Sequence, residues 1–408
     1  MFESALIFRG TGDQDQIDIG LIAETLFFYG KTHLLMHRGA IASLATAFSG
    51  PDLDILLKNP NVQLTYLPNF FGVVSAGLPK SHQFISATIG AGKRPPRKGD
   101  YREAIFETVE RALKGRDDAQ RIATLIADKA RPHRYSGDNR PESIIKICQD
   151  DLIDVNFSNE IARKIIRHLT PDYIIDNNFR FDLIKINDGY AIDTNIDFDL
   201  ANEIYHKKIP PSHSTLSPAY IMSHFVTARA DTFFSAYYMS EPVISPLYSE
   251  IIQEKHMEFL VRRRSHDNEI ALFHDIILPN FPLIRESINN GDRSFSEFSA
   301  LLEKADRFKQ WIQVTNPNEG LVQHYHRSAT SQTWADKLPT KSVRFAVATG
   351  LGAIADAVFP TGLGTAAGLA VGAADSLFLD KLIKGWRPNQ FIASEYSNFL
   401  SPTKRSPP

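Results

Sequence analysis

Four oxygen-bearing side chains alternate along residues 193–199: Asp193, Asn195, Asp197 and Asp199. In an extended segment, residues two apart share a face, so this run could turn a carboxylate cluster toward a hard cation of the magnesium type. Asp182 lies upstream. The acidic region from Asp182 to Asp199 would suit a metal-dependent phosphodiester or nucleotide-processing enzyme, with Mg2+ as its cofactor. An EF-hand calcium loop fails on spacing, because Phe198 stands where the sixth position needs glycine and Ile204 where the twelfth needs glutamate. A structural reading of the same residues competes: a polar strand edge followed by a helix that Asp197 or Asp199 caps. Asp182 and Lys185 are three residues apart, so on a strand they face opposite sides and do not form a nuclease-type pair.

A second candidate is cationic. Residues 90–99 read GAGKRPPRKG and bring Lys93, Arg94, Arg97 and Lys98 into one loop. The phosphate-loop motif fails here, since Ala87 occupies the position of its first glycine and Arg94 that of its Ser or Thr. What remains is a basic loop for an anion, such as a nucleotide or a nucleic-acid backbone, set against a simply solvated loop. Histidines His324 and His326 flank Tyr325 without an evident third metal ligand, and no His-Glu-x-x-His occurs. Cys148 lies in an apolar helical run, IIKICQ, where a buried inert thiol is expected. No Gly-x-Ser-x-Gly elbow is present, so no catalytic residue is assigned.

The third feature is mechanical. From Phe345 to Leu379 the chain has no lysine or arginine and only two acids, Asp356 and Asp375. Pro360, Thr361 and Gly362 interrupt it, which predicts two helices joined by a tight turn. Gly364, Gly368 and Gly372 recur every four residues, and Ser376 continues the row. Glycine costs about 1 kcal/mol relative to alanine inside a helix, so three in register imply close backbone approach by another surface. Lys341, Arg344, Lys381, Lys384 and Arg387 flank the hairpin on one side, as the positive-inside rule requires, with Trp386 at the interface. Length opposes a full span: the first arm is shorter than the roughly 20 residues a bilayer core needs. Asp356 adds a cost of about 2.5 to 3.5 kcal/mol at a bilayer centre. Burial inside a soluble domain or between subunits is therefore weighed against membrane contact, and either makes the segment an association device.

The whole chain bounds these readings. Its 408 residues are 43% hydrophobic and 23% charged, which is the composition of a folded globular protein rather than a disordered one. Forty-five basic and forty-seven acidic side chains give a net charge of -2, so a dedicated nucleic-acid coat is excluded on charge. The single cysteine excludes an intramolecular disulfide framework and fits a reducing cytoplasm. The amino-terminal apolar run is too short for a secretion signal.

Periodicity predicts the elements that must position the candidates. Strand-type runs at 5–8, 32–36, 62–66, 70–74 and 84–89 alternate with helical stretches at 17–28, 40–48 and 52–57, giving an α/β domain over residues 1–98. Residues 99–215 read as a mixed helical segment, helical over 101–113, 119–130 and 142–169 and holding a β-hairpin over 181–194, turned at Asn187, Asp188 and Gly189. Residues 216–338 read as a helical bundle, with long helices at 219–239, 247–264, 268–277 and 294–314, the last opened by a capping box of Ser294 and Glu297. A Gly/Ala-rich helical hairpin over 339–390 and a flexible tail over 391–408 complete the expectation. The fold class is thus α+β and helix-rich, with an N-terminal α/β domain, a central β-hairpin plus helical bundle, and a C-terminal small-residue helical hairpin.

The reading that follows is a cytoplasmic effector or scaffold, peripheral to or inserting into the inner membrane. Its glycine-zipper hairpin would mediate homo-oligomer formation or contact with inner-membrane lipid, in a stress or defence response. The metal-dependent enzyme is the alternative. A soluble partner-binding protein without catalysis is the second.

Overall fold

The computed structural model describes residues 2–8, 17–76, 81–88, 101–135, 140–187, 189–211, 214–243, 246–253, 257–278, 281–315, 320–330 and 388–401. Both the basic loop around Lys93, Arg94, Arg97 and Lys98 and the hairpin carrying Gly364, Gly368, Gly372, Ser376 and Trp386 lie outside the described residues. The fold is helix-rich α+β with one parallel and one antiparallel sheet. The chain forms two compact units.

The sheet unit comprises Ser4–Asp18 and Lys31–Arg263. Its strands are β1 (Ser4–Phe8), β2 (Lys31–Met36), β3 (Val62–Tyr66), β4 (Asn69–Ala76), β5 (Ser81–Thr88), β6 (Arg131–Pro132), β7 (Phe181–Ile186), β8 (Gly189–Thr194) and β9 (Glu241–Val243). The first sheet runs β6-β3-β2-β1-β9 and every neighbouring pair is parallel. Ala5 to Phe8 and Thr32 to Met36 are buried at successive positions, the continuous apolar run of a strand covered on both faces. The second sheet, β4-β5-β8-β7, is antiparallel.

The expected hairpin is present as β7 and β8, with Ile186 opposite Gly189. Gly189 has φ of +122°, and a Cβ there would stand 2.5 Å from the His82 carbonyl oxygen. A side chain at 189 would therefore obstruct the approach of β5, which pairs with β8 at His82 and Tyr190. A continuous apolar core joins residues of both sheets to helices α6 (Pro141–Leu152), α7 (Val155–Leu169) and α9 (Pro218–Tyr237). At its centre Phe234 of α9 stacks on Phe8 at 5.6 Å and meets Phe71 edge-on at 6.1 Å.

The helical unit comprises Met1–Glu3, Ile19–Gly30 and Arg264–Pro408. It contains α1 (Ile19–Phe28), α12 (Ile284–Asn289), α13 (Phe295–Lys304), α14 (Asp306–Gln313), α15 (Leu321–Thr330), α16 (Pro388–Phe391), a π-helical turn (Ile392–Tyr396) and α17 (Ser397–Leu400). Ser294 and Glu297 form the expected capping box at the start of α13. Residues 294–314 are nevertheless two helices, broken at Ala305. Residues 142–169 are likewise divided, because Asp154 accepts from the Phe157 backbone NH at 3.1 Å and starts α7 afresh. Residues 391–400, read from sequence as part of a tail, are helical, with Phe391, Ile392, Tyr396, Phe399 and Leu400 buried. Among the described residues no single helix is long and apolar enough to cross a membrane.

Phe308 of α14 lies among Phe27, Trp311 and Phe391, with ring centres at 5.4, 5.4 and 5.1 Å. Phe308→Ala is expected to cost about 3–5 kcal/mol by urea unfolding. A loss below about 1 kcal/mol would contradict this packing.

Candidate functional site

The acidic run does not remain a strand. Alternation ends with β8 at Thr194, and each following polar residue takes a structural role. Asp193 stands directly opposite Asp182 across β7 and β8, a like-charge pair that would repel unaided. Arg180 pairs with Asp193 at 3.0 Å, and the Asn159 side-chain amide donates to Asp182 at 2.7 Å. Asn195 accepts from the Arg180 backbone NH at 2.8 Å and donates to the Asn178 carbonyl at 3.0 Å. Asp197 caps α8 (Phe198–Tyr205), accepting from the NH groups of Asp199 and Leu200, and Asp199 lies in that helix's first turn. Among the described residues no group of three or more His, Cys, Asp or Glu is placed to hold a metal ion. The same region borders an open groove of about 640 Å³ between α7 and β7, lined by Asn159, Arg163, Phe179, Arg180 and Asp182 among others. The Arg163 guanidinium lies over the Phe179 ring at 4.9 Å.

The sequence reading passed over a polar network in the sheet unit. His33 of β2 and Thr65 of β3 hydrogen-bond at 2.8 Å, and His133, just beyond β6, bonds the Tyr238 hydroxyl at 2.6 Å. Tyr238 meets the His33 ring edge-on at 4.3 Å, and Tyr135 meets that of His133 at 4.5 Å. His33 is held neutral: burial, and then the neighbouring His133, bring its pKa down to about 4. Burial raises Tyr238 to about 12 and Tyr135 further. At neutral pH His33 and the phenols of Tyr238 and Tyr135 are thus uncharged. Cys148, buried and raised to about 12 by desolvation, is the inert thiol expected of its surroundings. Sequence offered no signal for the network, since its partners are 32 and 105 residues apart.

Topology marks one further position. β1 lies between β2 and β9, so the order of the parallel sheet reverses there, and open parallel sheets take ligands beyond the carboxyl ends of strands at such a reversal. Gly10 and Gly12, immediately after β1 in sequence, are the signal that could have pointed to it. Residues 9–16 and 244–245, which follow β1 and β9, lie outside the described residues.

In the helical unit, α15 and residues 388–401 precede and follow residues 331–387, which lie outside the described residues. On the amino side, the Leu321 NH at the start of α15 donates to Glu269 at 2.6 Å, His324 stacks on Trp311 at 4.8 Å, and Tyr325 meets Phe273 at 5.6 Å. On the carboxyl side, Phe391 stacks on Phe308 at 5.1 Å and Tyr396 on Phe27 at 4.8 Å. Phe308 and Trp311 are one turn apart on α14 and stack on each other at 5.4 Å. Both flanks therefore pack on the same short helix, and α15 also touches α16. No protein-family model matches this chain, and neither the curated proteins nor the solved structures include a significant match.

The His33 network generates a pH test. An unfolded histidine titrates near 6.5 and folded His33 at about 4, so between those values the unfolded chain binds more protons. The contribution of His33 is fully present above pH 6.5 and is lost as pH falls toward 4. From about pH 7.5 to about pH 5, wild type should lose about 2 kcal/mol more than His33→Gln in urea unfolding. Parallel losses in the two proteins would contradict the assignment.

Proposed function

We propose that the protein is an oligomerising effector or scaffold whose C-terminal Gly/Ala-rich segment brings copies together or engages a membrane surface. The observation that carries this reading is the packing of both flanks, α15 on one side and α16 with the π turn on the other, against α14. A stretch whose two ends are fixed beside each other leaves and returns at one place, which favours the hairpin form its Pro360–Gly362 interruption suggests. The row of Gly364, Gly368, Gly372 and Ser376 then gives that hairpin a face on which a second surface can come close. A membrane supplies such a surface, as does another copy of the chain. The lysines and arginines on either side, with Trp386, would seat the base of the hairpin at anionic headgroups of the inner membrane from the cytoplasmic side. Growth arrest or defence through membrane damage is the biological use this layout would serve.

Deleting residues 364–376 tests the reading. The shortened protein should keep the folding transition of wild type, lose sedimentation with anionic vesicles, and fall to a smaller species by light scattering. Unchanged oligomer size together with unchanged vesicle sedimentation would overturn it.

A further inference from the structure

We propose that the groove between α7 and β7 is a binding site for a mononucleotide, a ligand that joins a phosphate to a planar ring. The groove lies wholly inside the sheet unit and is independent of the association role proposed above. Its volume of about 640 Å³ falls in the range of small-molecule sites. Its wall is held more firmly than a connection leading into a strand requires. On one side, the Asn195 side chain accepts from the Arg180 NH at 2.8 Å and donates to the Asn178 carbonyl at 3.0 Å. On the other, the Asn159 side chain accepts from the Phe181 NH and donates to the Val155 carbonyl and to Asp182, each at 2.7 Å. Ser158 adds a bond to the Phe181 carbonyl at 3.0 Å. The groove is thus formed before anything enters it, which removes an ordering cost from binding.

The groups left over along that wall are mainly donors. The Arg163 guanidinium lies over the Phe179 ring at 4.9 Å, and among the described residues it has neither a hydrogen bond nor an ion pair. Glu160 stands three residues before it on the same helix without pairing with it. Phe179 fixes the plane of the guanidinium, and the opposite face is where a second planar group would lie, since arginine stacks on aromatic bases. Arg180 commits one nitrogen to Asp193 at 3.0 Å, is half exposed, and keeps its other donors. The side-chain amides of Asn156 and Asn178 border the same groove and make no hydrogen bond among the described residues, so they can meet the polar edge of a ring or a sugar. Of the two carboxylates there, Asp182 already accepts from Asn159. A carboxylate ligand would use the arginines and leave the stacking face empty. A neutral ring would use that face and leave the guanidinium charge unanswered. A nucleoside phosphate uses both, with its phosphate on the guanidinium donors and its base on the Arg163 plane.

The test is isothermal titration of the full chain with AMP, GMP, CMP and UMP in turn, and with inorganic phosphate and the matching nucleosides as controls. At least one nucleotide should bind, about 10-fold or more tightly than either phosphate or its own nucleoside, because the site answers both parts of the ligand. Arg163→Ala should weaken that nucleotide roughly 10- to 100-fold, the scale of lost charge-assisted hydrogen bonds. Arg163→Lys keeps the charge without the plane, so it should fall between the two and should bind inorganic phosphate as wild type does. Thermal unfolding of both variants should stay near that of wild type, since Arg163 packs on Phe179 from the half-buried side of α7. If Arg163→Ala unfolds early, Arg163→Lys and the comparison of ligands on wild type decide the matter. Failure of all four nucleotides to bind at millimolar concentration would overturn the proposal. So would phosphate binding as tightly as the best nucleotide, or a nucleotide affinity that neither Arg163 variant changes.

Discussion

A short run of stacked rings, Phe391 on Phe308, Phe308 on Trp311 and Trp311 on His324, holds α15 and α16 on one helix, α14. The rings are buried, so their contribution comes mainly from area removed from water, with stacking adding about 0.5–1.5 kcal/mol per pair. The geometric consequence matters more than the sum. Because Phe308 and Trp311 occupy consecutive turns of α14, α15 and α16 lie beside each other. Lys309, between them, is buried and donates to the Leu26 carbonyl at the end of α1. Burial lowers its pKa to about 8, a cost that is tolerated where the ammonium satisfies an otherwise orphaned helix-end carbonyl.

The sheet unit is organised by a different constraint, the burial of parallel strands on both faces. Such strands leave no solvated face for alternating polar residues, so polar groups enter only where they can bond one another. The His33, Thr65, Tyr238 and His133 network meets that condition through hydrogen bonds of its own, with His33 neutral. Arg229 and Asp151, paired at 2.8 Å near Cys148, meet it with charges. On the outer antiparallel sheet the same logic explains the acidic run. Asp182 and Asp193 face each other because the hairpin register is fixed at Gly189, and Arg180 and Asn159 relieve the repulsion.

Local signals made much of this architecture legible. Runs such as Thr32 to Met36 and the Asn187–Gly189 turn carry their own physical reason to be strand and hairpin, and Ser294 with Glu297 marked the start of a helix in sequence. Breaks inside periodic stretches were not legible. Hydrophobic spacing continues across Asp154 and Ala305, and only the cap at Asp154 and the packing of α13 on α14 divide the helices. The docked segment at residues 388–401 was hidden for a related reason. Its π turn sets Phe391 and Tyr396 five positions apart, off the helical period, and its end carbonyls are held by Arg293, more than a hundred residues away. The acidic run shows the limit of a face argument, since two-residue alternation means a shared face only while the strand lasts.

The central claim is that the near-uncharged stretch is covered by a second surface, lipid or protein, when the molecule acts. Its most direct test is the water accessibility of a spin label at Leu369→Cys in a Cys148→Ser background, measured with and without anionic vesicles. The account predicts a label shielded from a water-soluble relaxation agent once vesicles or assembled copies are present. A label that stays fully open to the agent in every state, including the assembled one, would contradict it.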